Sequence, residues 1–337
     1  MRRLLVTGGA GFIGSNFVQM VLSEHPDCNV INLDKLTYAG NLENLAGFEN
    51  HPNHKFIKGD ICDGNLINRI IDEFEIDSIV NFAAESHVDR SITEPKIFIE
   101  TNVIGTLTLL EAARDNNLQR FVQISTDEVY GALGPDGKFT EQTPLAPNSP
   151  YSASKAAADH LVRAFGHTWG VKYNITRCSN NYGPYQFPEK LIPLMINNAL
   201  NDQPLPVYGD GLQVRDWIYV YDHCTAVWKV LTDAVPGETY NIGGCNEKTN
   251  LEVVELILAR LGKPKTLIKH VTDRPGHDRR YAIDASKIIS QLKWKPSVSF
   301  EQGLNKTIDW YLASRKWLAN VVSGDYQKYY KSMYKNR

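Results

Sequence analysis

Apolar residues fall along the first half of the chain in short β-like runs separated by helically spaced stretches. The runs at 4–6, 30–33, 55–57, 77–82, 120–124 and 173–177 read as strands. Between them, 12–23, 66–73, 96–114 and 151–169 carry the spacing of helices with one apolar face. Strands alternating with helices predict a doubly wound parallel sheet, with right-handed crossovers and helices on both faces. Beyond about Ser179 the alternation loosens, and Pro184, Pro188, Pro193, Pro204, Pro206, Gly209 and Gly211 follow in quick succession. A smaller, irregular α/β lobe is expected there, with 221–232 and 239–242 returning to the first sheet as a helix and a strand. The expected division is therefore 1–178 with 218–243 as one domain, and 179–217 with 244–337 as the second lobe. The turn around Gly134-Pro135-Asp136-Gly137 is a natural lid.

Composition narrows the class. With 337 residues, 42% hydrophobic and a net charge of −2, the chain suits one large α/β body or two domains rather than a disordered segment. The near-neutral balance, with no long basic stripe, argues against nucleic acid as a partner. No apolar run approaches the roughly 20 residues of a membrane span, and no membrane partner is expected. Two arginines ahead of an apolar stretch imitate a signal peptide only faintly, because glycines follow and no clear cleavage site does. Five scattered cysteines with no CxxC pair fit a reduced compartment, so a cytoplasmic location is expected, without a zinc ribbon or other metal site.

Two patterns carry chemistry. Gly9-Ala10-Gly11-Phe12-Ile13-Gly14 matches G-x-G-x-x-G between a predicted strand and a predicted helix. Its glycines allow a tight turn and close approach of a pyrophosphate to the uncapped helix N-terminus. Asp34 ends the next strand 20 residues after Gly14, where it can bind ribose hydroxyls and would repel a 2′-phosphate. This predicts a Rossmann-type sheet and NAD rather than NADP. Asp60, at the end of the third strand, either faces the adenine or caps the following helix.

The second pattern is Tyr151-Ser-Ala-Ser-Lys155, which puts a phenol and an ammonium on one helix face. A neighbouring cation is expected to lower the phenol's pKa and make Tyr151 a base. Thr126 ends the strand before it and can bind the hydroxyl that Tyr151 deprotonates. Asp127 and Glu128 follow directly. Ionised about 5 Å apart at an effective dielectric near 20, they would repel by roughly 3 kcal/mol, about two pKa units. Such a pair splits into one acid and one base, but the acid also needs burial to hold its proton at neutral pH. Neighbours on a strand face opposite sides, so both reach one substrate only if the strand has ended.

Together with Ala84-Glu85-Ser86-His87-Val88-Asp89-Arg90-Ser91, the stretch 180–190, Arg215-Asp-Trp217 and 273–277, these patterns resemble the extended short-chain dehydrogenases/reductases that act on nucleotide sugars. Within that family the likeness is to its 4,6-dehydratase branch. The resemblance implies an NAD-dependent hydro-lyase acting on dTDP-glucose, and a homodimer paired through 96–114 and 151–169. It implies Thr126, Asp127, Glu128, Tyr151 and Lys155 as the catalytic set. It implies Gly8, Gly11, Phe12, Ile13, Gly14, Asp34, Lys35, Leu36, Thr37, Asp60, Ile61, Ala83, Ala84, Thr101, Tyr151, Lys155 and Asn181 at the cofactor. For the nucleotide sugar it implies His87, Thr126, Asn180, Lys190, Leu191, Pro206, Val207, Tyr208, Arg215, Asn250 and Asp273, Arg274, Pro275, Gly276 and His277. Read without the family, Arg215 and Arg274 are surface ion-pair residues and His87 is a core histidine. A UDP-glucose dehydratase and a 4-epimerase remain alternatives, as does a non-catalytic NAD sensor. An epimerase has little use for Asp127 and Glu128 together.

Overall fold

A computed structural model describes residues 2–273 and 276–323, so Arg274, Pro275 and the end of the expected second lobe lie outside the described residues. The first half builds β1 (Arg2–Thr7), α1 (Phe12–Glu24), β2 (Cys28–Asp34), β3 (His54–Lys58), α2 (Gly64–Phe74) and β4 (Ser78–Asn81). Next come α3 (Val88–Thr93), α4 (Pro95–Phe98), a π-helical turn over Ile99–Ile104, α5 (Gly105–Asp115) and β5 (Arg120–Thr126). The long α6 (Pro150–Trp169) and β6 (Tyr173–Cys178) complete this half. Ser149 and Ser152 close a reciprocal capping box at the start of α6, and Pro150 occupies its first turn, which fixes where the Tyr151 face begins.

Seven parallel strands form the main sheet in the order β10-β6-β5-β4-β1-β2-β3, where β10 is Thr239–Ile242. The order reverses between β1 and β4, and crevices at such switch points are where open α/β sheets take their ligands. Leu4, Val6, Phe17, Val21, Val227 and Leu231 belong to the core on one face of the sheet. Leu5, Ile67, Ile70, Leu109, Phe121 and Phe165 fill the other. Alternate residues of β1 thus enter opposite cores, which is why its Leu4-Leu5-Val6 run is apolar without interruption.

The later chain adds β7 (Asn180–Tyr182), α7 (Leu191–Leu200), β8 (Leu205–Tyr208), β9 (Val214–Tyr219) and α8 (Val220–Asp233) ahead of β10. After it come β11 (Glu247–Thr249), α9 (Asn250–Leu261), β12 (Ile268–Val271), α10 (Ser286–Leu292), α11 (Phe300–Ala313) and α12 (Arg315–Val321). Here the strands are short: β11-β9-β7 make one small sheet and β12-β8 another. A third core, with Tyr182, Trp217, Ile257, Phe300 and Tyr311, binds them to the helices. As expected, 239–242 is a strand of the main sheet, beside β6. The Gly134–Gly137 turn does not border the main cavity; Arg280 reaches the carbonyls of both glycines.

Candidate active site

At the end of β1 the chain turns on Gly8, whose φ of +70° favours glycine and whose absent Cβ would lie 2.6 Å from the Ala83 nitrogen. A Cβ on Gly14 would press into the Gly8 carbonyl oxygen, so the helix can approach the turn only without one. Gly11 is the N-cap of α1 and supplies no side-chain acceptor, leaving first-turn N–H groups without a capping side chain. An anion is their natural partner. Asp34 braces this turn from the next strand: its carboxylate accepts from Ala10 N at 2.9 Å and Leu36 N at 2.8 Å. Burial raises the Asp34 pKa against those backbone donors. Asp60 does not cap the following helix; Asp63 does, through Leu66 N. Asp60 instead pairs with Lys35 at 2.6 Å and accepts from Cys62 N at 3.0 Å.

The opposite wall is the end of β5. The strand stops at Thr126, and Asp127–Tyr130 form a 3-10 turn. That departure resolves the alternation problem, because Asp127 and Glu128 both border the cavity. Thr126 Oγ accepts from Glu128 N at 3.3 Å and lies 3.4 Å from an Asp127 oxygen. Asp127 is 1% exposed, and its Oδ2 is a buried oxygen without a hydrogen-bond partner among the described residues. Burial raises its pKa well above the carboxylate range, and the charges of Glu128 and Asp216 add to this against Arg215. Asp127 is thus the member of the pair that the fold pushes towards the protonated form, by burial first and by the Glu128 charge second.

Tyr151 and Lys155 both face this wall from α6, buried. The expected lowering of the Tyr151 pKa is not met. Burial pushes the phenol well above its ordinary value, Glu128 and Cys178 add to that, and a hydrogen bond with Thr126 opposes it. Burial also lowers Lys155, whose Nζ donates to the Ile124 carbonyl at 2.6 Å. Burial sets the direction at both groups, and burial is invisible in a Tyr-x-x-x-Lys spacing.

A cavity of about 290 Å³ joins the two walls. Of the expected cofactor residues, Gly8, Gly11, Phe12, Ile13, Gly14, Asp34, Lys35, Thr37, Asp60, Ile61, Ala83, Ala84, Thr101, Tyr151, Lys155 and Asn181 line it. Leu36 sits beside it at φ +56° without lining it. Of the expected sugar residues only Thr126, Asn180 and Lys190 do so. His87 is buried as the N-cap of α3, accepting from Arg90 N at 3.4 Å. Leu191 opens α7 next to Lys190.

The remaining described sugar residues lie on β8 and β9 of the two small sheets, at the start of α9 and in the segment after β12. Pro206, Val207 and Tyr208 are on β8, and the Tyr208 hydroxyl donates to Asp89 at 3.2 Å. Asp273 meets His277 at 2.6 Å and Gln213 at 2.9 Å, and Gly276 turns with φ +65°. Asn250 N donates to the Gln213 carbonyl at 3.0 Å. Arg215 is buried rather than a surface ion-pair residue. Its guanidinium donates to the Val214 and Asp278 carbonyls and lies 4.6 Å over the Tyr281 ring.

Sequence reasoning gave no site role to Ser86, Ser125, Ser179, Gln186 or Glu189, which also line the cavity. Glu189 is buried, accepting from the Tyr38 hydroxyl at 3.0 Å and from Arg90 Nε at 3.3 Å. Its signal was present, since the 180–190 and 84–91 stretches stood out as motifs. Asn102 had none. In the π-helical turn its amide exchanges hydrogen bonds with Glu85 N and O and donates to Ser154 Oγ at 2.8 Å, next to the cavity-lining Thr101. A π turn at a functional wall is a recurrent device.

Fold and site together define an extended short-chain dehydrogenase/reductase whose Tyr151 and Lys155 share a cavity with Asp127 and Glu128. The chain belongs to the family described as GDP-mannose 4,6 dehydratase, whose model matches residues 5–307. It is 58% identical to a dTDP-glucose 4,6-dehydratase of Xanthomonas campestris pv. campestris, over 97% of this chain and 98% of that one. Among solved structures it is similar to the dTDP-glucose 4,6-dehydratase of Bacillus anthracis in complex with NAD (54% identity, TM-score 0.90, covering 95% and 100% of the two chains). The Streptomyces venezuelae dTDP-glucose 4,6-dehydratase with NAD bound is likewise similar (50% identity, TM-score 0.92, covering 95% and 99%).

Proposed function

We infer that the chain is an NAD-dependent hydro-lyase that converts dTDP-glucose to dTDP-4-dehydro-6-deoxyglucose and water. The observation that carries this reading is the buried Asp127 next to Glu128 on the wall that also holds Thr126, Tyr151 and Lys155. The glycine turn, the uncapped start of α1 and the Asp34 carboxylate fit the pyrophosphate and ribose of NAD. NAD held there would supply the redox couple for hydride removal at C4 and hydride return at C6.

The residues do the rest. Tyr151 accepts the proton of the 4-hydroxyl, with Thr126 orienting that hydroxyl and Lys155 holding positive charge beneath it. The 4-ketone acidifies C5, and Glu128 takes the C5 proton. Asp127 gives its proton to the departing 6-hydroxyl, which leaves as water, and Glu128 later returns a proton to C5. Residues 1–178 and 218–243 serve the cofactor in this reading, and 179–217 with 244–337 serve the nucleotide sugar. Arg215 and Lys190 suit the diphosphate. Homodimer pairing draws support from the exposed Ile92, Ile97, Ile99 and Ile104 on the α3–α5 face and from Trp169 at the end of α6. A cytoplasmic location draws support from five free cysteines. No helix among the described residues is long and apolar enough to cross a membrane. Sedimentation equilibrium and cell fractionation check these two points, and a monomer or an exported protein overturns them.

The test of the activity is incubation with dTDP-glucose in D2O, read by NMR and mass spectrometry. The expected product carries deuterium at C5 and the original C4 hydrogen at C6. Turnover of UDP-glucose alone overturns the nucleotide assignment. A C4 epimer formed without loss of water overturns the roles of Asp127 and Glu128.

A further inference from the structure

The cavity wall formed by β7 is held from behind by a histidine that touches no cavity space. Asn181 lines the cavity, and its amide is committed on both sides. Its Nδ2 donates to the Ser179 carbonyl at 3.0 Å, and its Oδ1 lies 2.9 Å from His223 Nδ1. The Asn181 backbone carbonyl accepts from Gln186 Nε2 at 2.9 Å, and the Gln186 carbonyl accepts from the Tyr311 hydroxyl.

These contacts determine the protonation pattern. The Ser179 carbonyl can only accept, so the amide nitrogen of Asn181 faces it and the amide oxygen faces the imidazole. His223 must then carry its proton on Nδ1, which leaves Nε2 as a bare lone pair. Nε2 is indeed buried without a hydrogen-bond partner among the described residues. The ring is 0% exposed, and burial alone pushes its pKa down to about 3, so the neutral tautomer persists.

The ring is also held in place along the chain. Its neighbour Asp222 accepts from Ser297 N, Ser297 Oγ and Val298 N at 3.0, 2.6 and 3.0 Å, which fixes the start of α8 against the segment before α11. An unpaired buried acceptor is unfavourable, and a site selected for packing alone is better filled by an apolar side chain.

We propose that His223 is a positioning residue: it locks the Asn181 amide in one orientation and thereby sets how tightly the cavity retains NAD. The proposal rests on the cofactor reading above. It adds a residue on α8 that no spacing motif marks and that meets no reactant.

Two variants and one spectrum test it. His223→Phe keeps the bulk and removes the donor. His223→Asn places an amide N–H where Nδ1 was. NAD affinity, followed by quenching of protein fluorescence, is expected to fall about 5- to 10-fold in the Phe variant. It recovers most of the way in the Asn variant, and kcat at saturating NAD stays near wild type in both. Nitrogen-15 NMR of the wild type is expected to show the Nδ1-protonated tautomer. The proposal is overturned if Phe retains NAD as tightly as wild type, or if Phe and Asn weaken it equally. If the Phe variant does not fold, the Asn variant and the tautomer decide. An Nε2-protonated ring refutes the locked amide whatever the cofactor. A wild type that takes the expected tautomer yet binds no NAD refutes the cofactor reading and the affinity claim, and leaves the orientation standing.

Discussion

The two walls of the cavity are built by opposite means. The wall at β1 is built on missing side chains: Gly8, Gly11 and Gly14 clear the space, and the first turn of α1 is left without a capping side chain. At the end of β5 the wall works through ionisable side chains taken out of water, namely Asp127, Tyr151 and Lys155. A diphosphate keeps its charge throughout, so fixed dipoles suffice for it. Acid–base chemistry requires groups that change charge, and their pKa values are set by burial and by charges brought from elsewhere in the fold. The first wall is therefore assembled from residues close in sequence. The second depends on Asp216 and Arg215, which lie on β9, some ninety residues further along the chain.

The contrast is broken most sharply at Gly14. A methyl group there meets the Gly8 carbonyl oxygen, and neither backbone can yield without moving α1 off the sheet. Overpacking of this kind costs about 1–3 kcal/mol, so Gly14→Ala is expected to weaken NAD retention about 10- to 100-fold and to lower Tm. Dialysis followed by measurement of residual bound cofactor checks it. A variant that keeps both NAD and Tm would show that the wall tolerates side chains and is not built on their absence.

The same division explains what could be read from the sequence. The seven-stranded sheet was legible as far as β6 because each strand and helix carries its own apolar period, and the strand at 239–242 was also found. Asp34 and the glycine turn were legible from spacing. The adjacency of Asp127 and Glu128 implied that the pair would split, though not which member would hold the proton. Burial was not legible: it reversed the expected direction at Tyr151 and turned Arg215 from a surface ion-pair residue into a buried one. The small sheets β11-β9-β7 and β12-β8 use strands of three to six residues whose partners are remote, too short for a period to register. Asn102 and His223 act through hydrogen bonds to residues remote in sequence, and no local pattern marks such contacts.

Asp216 offers the finer test of the charged wall. Its carboxylate accepts from Gly244 N at 3.0 Å and Asn246 N at 2.6 Å, and burial raises its pKa against these donors. Its negative charge disfavours ionisation of Asp127, as does Glu128, while Arg215 favours it. In the proposed mechanism Asp127 is protonated when it releases the 6-hydroxyl, so turnover is expected to fall as pH rises through its raised pKa. Asp216→Asn removes one of the charges that hold that pKa up. The alkaline limb of kcat is therefore expected to move to lower pH. Near the acidic end of the profile Asp127 remains protonated in both proteins, and turnover should stay close to wild type. The Asn side-chain oxygen can still accept from one of the two backbone donors, and a Tm measured alongside separates loosening of the 244–246 turn from the electrostatic effect. A limb that stays in place in a folded variant would mean that burial and Glu128 alone set the acid, and the reach of the second lobe into the catalytic wall would be steric only.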